Sequence, residues 1–171
     1  SSVESGTMTI TAELSEVSAS NVIIPFTVNG ASTATGGGTD YSITAAPITI
    51  TAGNTTGSIT ITIATDALDE NNETVIVDMG TPTNATQGAI TTHTATITDD
   101  DAAPTVTFTS ASQSSAIETG IMTITAQLSA VSGKNVTIPF TVNSSSTATG
   151  SGTDYSITAA PITITAGNTT G

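Results

Sequence analysis

Fourteen carboxylates and a single cationic side chain set the chemistry open to this chain. Its 171 residues include 14 Asp or Glu, one Lys (Lys134), one His (His93), no Arg and no Cys, for a formal net charge of −13. The acids are not spread evenly. Asp66, Asp69, Glu70 and Glu73 fall within eight residues, Asp99, Asp100 and Asp101 are consecutive, Glu4 lies near the start, and Asp40 follows the glycines at 36–38. Two carboxylates 4 Å apart repel by roughly 4 kcal/mol at an effective dielectric of about 20. A hard divalent cation reverses that sign. Calcium takes about 6–8 oxygen ligands in irregular geometry, which suits carboxylates carried on loops. With no Cys and one His, zinc or copper sites of ordinary type are not expected. From spacing alone, the acids either gather round such an ion or solvate loop tips.

Other chemistries find little support. His93 sits inside an alternating run and reads as a strand residue; nothing near Ser, His or Asp resembles a nucleophile elbow. The glycines at 36–38 precede no helix and form no phosphate loop. The acid excess opposes binding to nucleic acid or to an anionic membrane, where Lys and Arg supply the attraction. No apolar run approaches the ~20 residues that span a bilayer. Rows of Thr-X-Thr, such as Thr9-Ile10-Thr11 and Thr60-Ile61-Thr62, raise ice binding as a minor alternative, weakened because a twisted sheet makes a poor flat lattice.

The elements that must position these acids are strands. Met8, Ile10, Ala12 and Leu14 alternate with Thr7, Thr9, Thr11 and Glu13, a period of two. The same alternation recurs in Val22, Ile24, Phe26 and Val28, in Ile48 and Ile50, in Ile59, Ile61 and Ile63, and in Val75, Val77 and Met79. A last strand is expected over 90–98, with Ala95 and Ile97 inward. Pro25 lacks an amide donor and belongs on an edge or at a bulge. Only 3% of residues are aromatic, and the Thr, Val and Ile content favours pleated strands over helices. Short strands with one apolar face and frequent turns predict two packed antiparallel sheets, an immunoglobulin-like all-β sandwich. Loops after alternate strands of such a sandwich reach the same end. One end could therefore gather Glu4, Asp40, Asp66, Glu70, Glu73 and the aspartates Asp99, Asp100 and Asp101.

The sandwich is repeated. TDYSITAAPITITAGNTTG occurs at 39–57 and again at 153–171, an offset of 114, and residues 1–57 differ from 115–171 at 12 positions. The expected organisation is a first sandwich over 1–104 lacking its first strand, then the N-terminal part of a second over 105–171, cut before its C-terminal strands. PTVTFT (104–109) reads as the first strand of that second copy. Such a chain is expected to be a window on a longer tandem array. The second copy retains Glu118 and Asp154 where the first has Glu4 and Asp40, while Glu13 and Glu16 become Gln127 and Ala130.

The succession GTDYSIT, AGNTTGSITITI, TDALDENNETV and TATITDDD resembles the Calx-β repeat, over essentially the whole chain. The resemblance implies an immunoglobulin-like sandwich of the kind found in sodium–calcium exchangers, integrin β4 and large bacterial surface proteins, with calcium held by carboxylates at one end. It implies as ligands Glu4, Asp40, Asp66, Glu70, Glu73, Asp99, Asp100 and Asp101, and in the second copy Glu118 and Asp154. One departure stands out: Thr65 and Ala67 flank Asp66, where calcium-binding exchanger loops open with consecutive aspartates. Ligand supply suggests two ions per complete unit. The expected function is a non-enzymatic, calcium-binding structural or adhesive repeat of an extracellular fibre or cell-surface protein. Its partners would be neighbouring repeats, copies of itself in a fibre, or a cell-surface or matrix ligand. A regulatory calcium sensor and an accessory binding module of a larger enzyme are the alternatives.

Overall fold

A computed structural model describes residues 2–113 and 117–171, Ser2 and Val3 by their backbone. Ser1 and the opening of the second-copy alignment at 115–116 lie outside the described residues. Two compact units emerge: Ser1–Ala67 with Asn71–Asp100, and Leu68–Glu70 with Asp101–Gly171. Every regular element among the described residues is a strand.

The first unit contains β1 (Ser2–Val3), β2 (Thr7–Glu13), β3 (Val22–Ile24), β4 (Phe26–Val28), β5 (Tyr41–Ile43), β6 (Ile48–Ile50), β7 (Thr56–Ile63), β8 (Glu73–Met79) and β9 (Thr92–Thr98). One sheet runs β1-β9-β8-β4; the facing strands form β2-β7-β5 and the pair β3-β6. The pairs are antiparallel except β1 with β9, which is parallel. The alternation of the sequence becomes the core. Ile10 and Ala12 of β2 and Ile59, Ile61 and Ile63 of β7 cluster with Val75 and Val77 of β8 and Ala95 and Ile97 of β9. Each large aliphatic side chain so buried contributes about 1.5–3 kcal/mol of transfer free energy.

Two expectations about strands need correction. The run 22–28 is not one strand, because Pro25 divides it. β3 pairs with β6 and β4 pairs with β8, so the chain changes sheets at Pro25. With no N–H to offer, Pro25 uses its carbonyl, which accepts from Gly80 N at 2.8 Å. Beyond it Phe26 is buried but Val28 is exposed. The last strand begins at Thr92 rather than 90, and Ile90 is exposed. His93 lies within it, paired with Val77.

The second unit contains β10 (Val106–Phe108), β11 (Ala126–Leu128), β12 (Val136–Ile138) and β13 (Ile162–Ile164). β10 pairs with β11, and β12 with β13. The far edge of β11 is bonded to the chain end: Ala126 N donates to Gly171 O at 3.0 Å and Leu128 N to Thr169 O at 2.8 Å. Its core is small, with Ala126, Leu128 and Ile164 buried and Val136, Ile138 and Ile162 partly so. Ile124 is 54% exposed, whereas Ile10, its equivalent in the first copy, is 7% exposed. In the first unit that face of β2 packs against Val75 and Val77 of β8 and Ala95 and Ile97 of β9 in the opposite sheet, strands for which residues 105–171 hold no equivalent.

Candidate metal centre

Three carboxylates converge: Glu4, Asp99 and Asp101 each present an oxygen, and these oxygens lie within 4.8 Å of one another. The register of the sheet explains two of them. β1 runs parallel to β9 with Ser2 beside Ile97 and Val3 beside Thr98, so the next step along both strands brings Glu4 beside Asp99. The two-residue period of extended chain explains the third. Asp99 and Asp101 are half-buried on one side, while Asp100 between them is exposed.

The backbone around the group is tied down. Glu4, 8% exposed, precedes a turn at Gly6 whose φ of 88° favours glycine. The Thr65 hydroxyl donates to Glu4 O at 2.5 Å, and Ile63 N donates to Gly6 O at 3.0 Å. Asp99 N donates to the Asn72 side-chain oxygen at 3.1 Å. Thus the end of β7, the 71–72 loop and the end of β9 hold the group together. Among the described residues, the buried side-chain oxygens that accept no hydrogen bond are Glu4 Oε2, Asp99 Oδ1 and Asp101 Oδ2.

The remaining residues expected at the site lie outside this group. Asp40 caps its own loop: its carboxylate accepts from Thr35 N, its amide donates to Thr35 O at 3.0 Å, and its carbonyl accepts from Ala64 N at 2.9 Å. Asp154 does the same in the second copy, accepting from Thr149 N at 2.6 Å. Burial, followed by the charge of Asp40, raises the Tyr41 phenol above its ordinary value. Asp66 and Asp100 are exposed, Glu73 is the first residue of β8 opposite Ile97, and Glu118 is exposed in a turn. Glu70 lies in the second unit, its side chain against Gly133.

Asp69, which the sequence did not single out as a site residue, is buried beside Lys134 and Ser132 in the second unit. Its carboxyl is held below its ordinary value, first by the Lys134 hydrogen bond, against the opposing effect of burial. The exchange of Ser20 for Lys134 between the copies was the available signal.

Calcium fits the converging group. Ligand distances of about 2.3–2.6 Å allow two oxygens on one ion to be separated by up to about 5 Å, which accommodates 4.8 Å. Carboxylate oxygens are the donors a hard cation takes, and solvent and main-chain carbonyls can complete its shell. Magnesium, which demands near-octahedral geometry at about 2.0–2.1 Å, fits such an open group less well.

Comparison with known proteins gives the context. Two solved structures resemble the fold: CBD12 from CALX1.2, at TM-score 0.52 and 17% identity over 81% of this chain and 57% of that one, and the calcium binding domain CBD12 of CALX1.1, at TM-score 0.53 and 17% identity over 81% and 56%. This chain therefore spans a little over half the length of those solved chains. No curated protein sequence matches it significantly. A family model of the Calx-beta domain matches residues 2–101 and again 99–170. Matched twice in tandem over nearly its whole length, the chain belongs to the Calx-beta domain family.

Proposed function

We propose that the chain is a calcium-binding structural repeat of an extracellular fibre or large surface protein, with the ion at Glu4, Asp99 and Asp101. The observation that carries this reading is the convergence of the three carboxylate oxygens within 4.8 Å. The name of one similar structure, a calcium binding domain, supports the choice of ion. The described residues form one such group, which offers a place for one ion. A single half-open group of three carboxylates suits the weak affinities, about 10⁻⁴–10⁻³ M, of extracellular calcium modules.

The structural role follows from where the ligands lie. Glu4 follows the first strand of the unit and Asp99 and Asp101 follow the last, so one ion would tie the strand entering the unit to the chain leaving it. Pro104 locks its own φ and restricts Ala103, which stiffens the exit further. Near-identical copies favour an array over a sensor pair, which needs two different affinities.

Calorimetric titration of the full chain with calcium tests the reading. Saturable binding in the 10⁻⁴–10⁻³ M range, lost in the Asp99→Asn/Asp101→Asn variant, is expected. Heats indistinguishable from dilution, or a wild-type isotherm retained by that variant, would remove the ion from the site. Binding near or below 10⁻⁶ M would instead mark a regulatory sensor.

A further inference from the structure

The two copies of the repeat carry equivalent turns that do different things. In the first, Ser18-Ala19-Ser20 is self-contained: the Ser18 hydroxyl donates to Ser20 O at 2.8 Å and accepts from Ser20 N at 3.1 Å. In the second, Ser132-Gly133-Lys134 keeps the same framework. Lys134 N donates to Ser132 Oγ at 3.1 Å, and Gly167 N donates to Ser132 O at 2.9 Å, as Gly53 N does to Ser18 O at 3.0 Å. Its serine hydroxyl, however, is turned to Asp69, donating to Oδ2 at 2.9 Å. Ser132 is only 1% exposed and Asp69 only 6%.

The segment Leu68–Glu70, part of this second unit, is gripped at four points. Asp69 pairs with Ser132 in a parallel bridge, and Gly133 N donates to Asp69 O at 3.0 Å. The Lys134 ammonium lies 2.5 Å from Asp69 Oδ1 and donates to Glu70 O at 3.0 Å. The Ser132 hydroxyl takes the other carboxylate oxygen. Both oxygens of one buried aspartate are therefore read by separate donors, and the backbone is read through the carbonyls of Asp69 and Glu70. Charge-assisted bonds of this kind are roughly twice as strong as neutral ones.

Residues 19 and 20 differ between the copies, Ala19-Ser20 becoming Gly133-Lys134, and these account for two of the 12 differences. Both serve the grip. A Cβ at 133 would stand 2.7 Å from Glu70 Cγ and 2.8 Å from its Oε1, so alanine there would displace the Glu70 side chain. Serine at 134 could reach neither Asp69 Oδ1 nor Glu70 O. Ser132, present in both copies, supplies the part of the site that needs no substitution.

We propose that the Ser132-Gly133-Lys134 turn is an acceptor site for an acidic Leu-Asp-Glu segment, occupied by Leu68–Glu70, and that Gly133 and Lys134 decide which copies of the repeat have it. Copies with Ala-Ser at those positions lack the acceptor. Repeats of this chain are therefore of two kinds, and the one lysine of the sequence distinguishes them.

Amide hydrogen exchange on the full chain tests this. The G133A/K134S variant, which restores the first copy's turn, should speed exchange of the residue 133 amide by about tenfold or more. The Gly167 amide, bonded to Ser132 O, and the β7 amides should be unchanged. Should that variant misfold, Asp69→Asn keeps the shape of the segment and leaves the turn untouched. It should free the same 133 amide, and adding Lys134→Ser to it should speed exchange no further than the faster single change. Unchanged protection at 133 in Asp69→Asn, effects of the two changes that multiply as independent, or an equal rise at Gly167 would each overturn the proposal.

Discussion

Replacing Asp101 by Asn takes one charge out of the carboxylate group while keeping its shape. The three oxygens lie within 4.8 Å, so each pair repels by about 1 kcal/mol at the dielectric of water and about 3.5 kcal/mol at an effective dielectric of 20. Asp101 belongs to two of the three pairs. Because Asp99 and Asp101 are only half-buried, solvent screens most of this, and the low end governs. In chelator the variant should therefore be more stable than the wild type, by about 1–2 kcal/mol. That raises the melting point by roughly 4–8 °C per kcal/mol in a unit of about 100 residues. With calcium at 100 times its dissociation constant the wild type gains about 2.7 kcal/mol. A tenfold weaker site gains about 1.4 kcal/mol at the same concentration. Scanning calorimetry with and without calcium reads both effects, and Asp100→Asn is the control, since Asp100 is exposed outside the group. That control should move neither melt by more than about 0.5 kcal/mol. A chelated Asp101→Asn melt no higher than the wild type would refute the repulsion argument. An undiminished calcium shift would refute the ligand set.

Identical residues at equivalent positions should behave differently: Ile10→Ala should cost the first unit about 2–5 kcal/mol, while Ile124→Ala, half-exposed, should cost less than about 0.5 kcal/mol by denaturant melts. Gly57→Ala would set a Cβ 2.6 Å from Thr49 O, a backbone atom that cannot swing away, and should destabilise the first unit by about 1–3 kcal/mol in the same assay. The Asp69 carboxyl is held below its ordinary value of 3.8, so its stabilising contribution is complete above that pH and is lost as pH falls through the lowered folded value. Exchange at the Gly133 amide should accelerate over that acid window in the wild type, while Lys134→Ser should be fast already at neutral pH.

The β class, the strand alternation and the inward residues were legible because burial on one face imposes a period of two, and Ile10, Ile61, Val75 and Ile97 obey it. Partnering was not. Val22 to Val28 has one unbroken alternation, yet the missing amide of Pro25 ends one pairing and lets the chain begin another on the opposite sheet. The parallel run of β1 beside β9 left no signal either, since two residues carry no period. That pairing is what sets Glu4 beside Asp99, so the nearness of these two acids could be guessed only as a gathering of loop ends.

Of the acids expected at the site, the structure brings three together and places the others elsewhere. A run of three aspartates leaving a strand must alternate, so Asp99 and Asp101 share a side and Asp100 does not; that follows from extended geometry alone. Asp40 is expected as a ligand from its place near one end of the sandwich and from the resemblance of GTDY. Its spacing of five from Thr35 equally permits it to close its own loop, and the identical arrangement of Thr149 and Asp154 shows that this local bonding needs nothing from the rest of the first unit. The acidic stretch 66–73 was read as one functional block, but its middle belongs with the second unit, where the only cation of the chain neutralises Asp69. In a sequence with 14 acids and one lysine, the position of the lysine is informative because it marks Asp69, one of the two carboxylates buried among the described residues, and the one that is neutralised by a cation.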